Sequence, residues 1–95
     1  MESESPKLLI VDDDADLLSL TAEACAVLGH PAWTAGSAPE ALELLRTRPG
    51  IAGLMTDVRL AGPLDGFALA SQARAIVPDL AVVFITGYGD HVERP

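Results

Sequence analysis

The chain has 95 residues, of which 14 are acidic and six basic, for a net charge of −8. That balance argues against a phosphate-backbone partner such as DNA or RNA, and favours a cation or a partner with a basic face. Hydrophobic residues make up 49% of the chain, enough for one core and therefore one domain. The single cysteine, Cys25, excludes an internal disulfide and suits a reducing, cytoplasmic compartment. No window approaches the roughly 20 apolar residues that a membrane span needs.

Residues 1–6, MESESP, are acidic and polar; they read as a disordered tail, not a signal or transit peptide. Residues 7–11, KLLIV, are apolar throughout, which predicts a strand covered on both faces. Leu17, Thr21, Ala24, Cys25 and Leu28 then recur at helical spacing, and Gly29 marks a C-terminal stop. Asp13 or Asp14 is placed to cap that helix.

PAWTA, residues 31–35, is the second expected strand. SAPE, residues 37–40, is a capping box, with Ser37 as N-cap and Glu40 three positions on. Ala38, Ala41, Leu42 and Leu45 form the apolar face of the second helix, which Pro49 and Gly50 end. Residues 51–57, IAGLMTD, are expected as a third strand, weakened at Gly53, and VRLAGPL follows as a turn-rich loop. A third helix runs from about Gly66 to Pro78, with Phe67, Ala70, Ala73 and Ile76 or Val77 inward. LAVVFIT, residues 80–86, is the most β-prone segment, and HVERP is placed to begin another helix. Gly50, Gly53 and Gly62 read as turn residues. Cys25 reads as helix-face packing, Trp33 as packing or a surface aromatic, and His30 and His91 as surface loop residues.

This β-α-β-α-β-α-β order predicts an α/β fold with parallel strands, right-handed crossovers and helices on both faces. Ligands in such sheets sit beyond the carboxyl ends of the strands. The first strand delivers Asp12 and Asp13 to that rim, the third Asp57, and the fourth Thr86. Two carboxylates about 5 Å apart repel by about 3 kcal/mol at an effective dielectric of 20. Solvent exposure, protonation or a bound cation would relieve that repulsion. Asp12, Asp13 and Asp57 suit Mg²⁺, and a carboxylate beside the ion could attack a phosphoryl group.

LLIVDDD, MTDVRL, LDG and VVFITGYG, in this order and spacing, resemble the receiver domain of two-component response regulators, over residues 7 to about 91. The resemblance implies a flavodoxin-like (CheY-like) doubly wound sheet, here with strand order 2-1-3-4 and the fifth strand and last helix missing. Residues 7–95 then form an incomplete receiver domain. It implies Asp57 as phosphoacceptor, Asp12 and Asp13 as Mg²⁺ ligands alongside it, Arg59 supplying a backbone carbonyl to the ion, and Thr86 as switch hydroxyl. The implied partner is a sensor histidine kinase or phosphotransfer protein. The resemblance further implies a domain that promotes its own phosphorylation and dephosphorylation and is not an enzyme acting on free substrates. Asp14 and Asp16 match no ligand position.

Two departures stand out. Ala61 occupies a position where the family commonly carries proline, in a loop that looks one residue longer than usual. The only lysine, Lys7, begins the first strand and cannot replace the lysine that follows the family's fifth strand. Two competing readings follow: a phosphorylation-deficient receiver acting as a binding or dimerisation module, and a Mg²⁺-dependent aspartyl phosphatase using the D-x-D of Asp12 and Asp14. The edge of the fourth strand, hydrophobic and bare, is expected to pair with a second copy.

Overall fold

The computed structural model describes residues 5–85. The expectations placed on Thr86, on His91, on a helix beginning in residues 91–95 and on the first four residues of the tail lie outside the described residues. The elements follow as β1 (Leu8–Val11), α1 (Ala15–Val27), β2 (Ala32–Ala35), α2 (Ala38–Thr47), β3 (Gly53–Asp57), α3 (Gly66–Ile76) and β4 (Ala81–Ile85). The strands form one parallel sheet, as the alternation predicts, in the order β2-β1-β3-β4 that the family resemblance implies.

The register explains the two faces. Leu9 lies beside Trp33 and Leu54, and Val11 beside Ala35 and Thr56. This face packs on α2 and α3 through Ala38, Ala41, Leu42, Leu45, Leu69, Ala70 and Ala73, all buried. Ile10, on the other face, is also buried, so β1 is covered on both sides as its apolar run implies. Ile51, expected to open the third strand, is buried but precedes it. Gly53 is the first residue of β3, not a turn residue. The glycine expected to close α2 does turn the chain: Gly50 has φ +90°, a conformation that side chains disfavour.

The helix ends follow the sequence signals. Asp14 caps α1, its Oδ1 accepting from the amides of Asp16 (3.0 Å) and Leu17 (3.1 Å). Ser37 Oγ accepts from the Glu40 amide at 3.3 Å, while Glu40 Oε1 accepts from the Gly36 amide at 2.9 Å, one residue before the position a standard box uses. Asp65 caps α3 through the Ala68 amide at 2.8 Å.

The packing of α1 differs from expectation. No residue of this helix is buried, and Leu17 and Leu28 are 50% and 75% exposed. Its half-buried residues include Leu18, Thr21, Ala22 and Cys25, a stripe displaced from the predicted one. The helix is apolar around most of its circumference, so periodicity alone does not fix which side meets the sheet. In α3, the buried face includes Leu69, which the predicted face omitted, while Phe67 is half-buried and packs against Phe84 with ring centroids 4.7 Å apart and the ring planes tilted by 55°. Trp33 is half-buried, with the Arg48 guanidinium 4.9 Å from its ring centroid.

Candidate functional site

Two neighbouring parallel strands deliver the acidic side chains to one rim. β1 ends at Val11, and the next residue, Asp12, still follows β2 through a 3.2 Å bond from its amide to the Ala35 carbonyl. β3 ends on Asp57 itself. Parallel pairing of Val11 with Thr56 puts Asp12 and Asp57 at the same level. One carboxylate oxygen from each of Asp12, Asp13 and Asp57 lies within 4.8 Å of the others. The convergence expected from the strand ends is therefore present for these three residues.

Each carboxylate also accepts a backbone N–H. Asp12 Oδ1 takes the Asp14 amide at 2.9 Å, Asp57 Oδ1 the Arg59 amide at 3.4 Å, and Asp13 Oδ2 the Ala61 amide at 2.9 Å. These bonds partly offset the mutual repulsion. They do not remove it at Asp57. Burial pushes the Asp57 carboxyl above the ordinary carboxylate range; the charges of Asp12 and Asp13 add to this, and the amides of Arg59 and Val58 oppose it. Asp12 is 9% exposed and Asp13 lies open to solvent.

The donor set is all oxygen, which suits a hard divalent cation and not a soft metal. An ion bonded at about 2.1–2.6 Å separates opposite ligands by roughly 4–5 Å, the span of this cluster. These residues could therefore hold a metal ion. Asp14 and Asp16 stand outside the cluster, and Asp14 is committed to the helix cap. Arg59 is exposed in the loop after β3.

Three contributors escaped the sequence reading. Thr56 is fully buried and its hydroxyl donates to the Asp57 carbonyl at 2.9 Å. Gly66 donates its amide to Val58 O at 2.7 Å and comes so close to Asp57 that a Cβ there would meet the Asp57 carbonyl oxygen. The Ala61 amide tethers Asp13 across 48 residues of sequence. The LDG segment signalled the second; nothing in the side-chain sequence signals a main-chain donor such as Ala61.

Comparison with known proteins supplies a family. The model of the response regulator receiver domain matches residues 8–94. The C4-dicarboxylate transport transcriptional regulatory protein DctD of Rhizobium meliloti is 35% identical over 89 residues, covering 93% of this chain and 19% of the relative. The response regulator receiver protein CpdR of Brucella abortus is 32% identical over 82 residues, covering 86% of this chain and 67% of the relative. A response regulator receiver protein from Pseudomonas putida superposes with a TM-score of 0.80 at 28% identity, covering 94% of this chain and 74% of that one. NtrX from Brucella abortus, solved in complex with ATP, gives 0.79 at 36% identity, covering 87% and 19% respectively. The chain thus spans about a fifth of the length of the DctD regulator.

Proposed function

Because the chain belongs to the response regulator receiver domain family of two-component signalling, we propose that it accepts a phosphoryl group on Asp57 from a sensor histidine kinase or phosphotransfer protein, in a Mg²⁺-dependent reaction. The observation that carries this reading is the gathering of Asp12, Asp13 and Asp57 within 4.8 Å at one rim of the sheet. In the transfer, an Asp57 carboxylate oxygen forms the bond to phosphorus as the phosphorus–nitrogen bond to the donor histidine breaks. The electron pair leaves with the imidazole.

Asp12, Asp13 and Asp57, with the Arg59 carbonyl, would hold the ion, which when bound neutralises charge on the transferring group. The Arg59 amide orients Asp57 by donating to Oδ1. Thr86, outside the described residues, is proposed as the hydroxyl that meets the phosphoryl group, on the family resemblance alone. Output runs through changed protein–protein contacts. Association of two copies along β4 is part of the same proposal: β4 ends the described sheet, and Val83 and Phe84 are exposed.

A phosphorylation-deficient binding module is the second reading; Lys7 immediately precedes β1, at the end opposite the acidic rim. The phosphatase reading is weakened, because the Asp14 carboxylate is occupied by two amides of α1. Incubation with acetyl phosphate and Mg²⁺ followed by intact mass measurement separates these readings. A phosphate-sized gain that disappears in Asp57→Asn supports the switch. No gain in a folded sample supports the binding module, and sustained turnover that needs Asp12 but not Asp57 supports the phosphatase.

A further inference from the structure

We propose that the backbone amide of Ala61 is a positioning group for Asp13, so that cation binding and the order of the loop from Val58 to Asp65 are coupled; this rests on the cation reading above. All three clustered carboxylates have one oxygen tied to a main-chain N–H, but the ties differ in kind. Those on Asp12 and Asp57 come from residues two positions along the same segment. The tie on Asp13 comes from a different segment, at 2.9 Å.

Asp13 is also the exposed member of the cluster. An untethered carboxylate there would rotate away from Asp12 and Asp57, relieving like-charge repulsion and leaving the site incomplete. The Ala61 amide holds Oδ2 with a charge-assisted bond and thereby fixes the orientation of the whole carboxylate. The donor exists because residue 61 is not proline: Pro63, two positions on, has no N–H to offer. The loop is pinned at its ends, where the Val58 amide donates to Ile85 O at 3.1 Å and the Gly66 amide to Val58 O at 2.7 Å. Between these pins, Gly62 turns the chain with φ +97°, directly after the donor.

Coupling of this sort is reciprocal. If the tether favours the cation, the cation must favour the tether by the same factor. The amide of Ala61 should therefore exchange more slowly when the ion is bound, and removal of its hydrogen should weaken ion binding.

The experiment is a Mg²⁺ titration of the full chain followed by amide NMR and hydrogen exchange, repeated for Ala61→Pro, which lacks the N–H, and Ala61→Gly, which keeps it. Ala61→Pro is expected to weaken Mg²⁺ binding about tenfold, in the range seen when groups that orient metal ligands are lost, and Ala61→Gly to leave it nearly unchanged. Without metal, Asp13→Ala should accelerate exchange at Ala61, a readout that holds even if the proline variant fails to fold. Equal Mg²⁺ affinity in the proline and glycine variants overturns the proposal. So does an Ala61 amide whose exchange ignores both Asp13→Ala and Mg²⁺ while the amides of Asp14 and Arg59 respond to the ion. If no amide near the cluster responds to Mg²⁺, the cation reading itself fails, which is a distinct result.

Discussion

The carbonyl oxygen of Asp57 occupies the space in which a side chain at Gly66 would begin. The first residue of α3 thus sits against the main chain of the proposed phosphoacceptor, and Val58 Cα would be 2.9 Å from the added carbon. Both obstacles are backbone, so neither can swing aside. Gly66→Ala should cost about 1–3 kcal/mol, seen as a lower urea midpoint with an unchanged slope. A variant as stable as the parent would show that α3 does not dock this closely on β3.

Asp57 gives a pH dependence of defined sign. Burial and the neighbouring carboxylates hold its carboxyl above the ordinary value of 3.8, so the folded chain keeps that proton to a higher pH than the unfolded chain. Stability from this group is therefore lost as pH rises from the unfolded value through the raised folded one, and its ionisation opposes folding above that window. Asp57→Asn should melt at a higher temperature than the parent at pH 7 without metal. The gap should close toward pH 3 and narrow on adding Mg²⁺. Equal melting temperatures at pH 7 would contradict the raised carboxyl.

The two faces of the sheet should respond differently to truncation. Leu69 is fully buried between α3 and the sheet, and Leu69→Ala should cost about 2–5 kcal/mol. Leu20 on α1 is 61% exposed, and Leu20→Ala should stay within about 0.5 kcal/mol. Denaturant melts of the two variants compare them directly; similar losses would mean that α1 is packed more tightly than described.

Asp14→Ala removes the cap of α1 and should cost about 1 kcal/mol while leaving acetyl phosphate labelling of Asp57 intact. Loss of labelling in a variant that remains folded would place Asp14 in the chemistry, contrary to its commitment to the Asp16 and Leu17 amides.

The strand β1 was legible because a parallel strand covered on both faces leaves an unbroken apolar run, LLIV. The strand β4 was legible because AVVFI is the most β-prone run, although Val83 and Phe84 are exposed; the strand order came from the family resemblance. Asp12, Asp13 and Asp57 were legible because each stands at the end of a predicted strand. The facing of α1 was not. Leu17 and Leu18 are equally apolar, and only the neighbouring strands decide which one turns inward. The tether on Asp13 was also hidden, since its donor is a peptide N–H that almost any residue carries. Ala61 drew notice as a departure from proline, but its consequence emerges only when β1 and the loop after β3 are seen side by side.

The outward side of α1 has a practical consequence. Val27 is 85% and Leu28 75% exposed, so the native chain presents aliphatic surface to any environment-sensitive dye. Thermal-shift screens that rely on such dyes would start from a bright baseline and understate ligand-induced stabilisation. Circular dichroism or label-free calorimetry would follow the same transition without that interference.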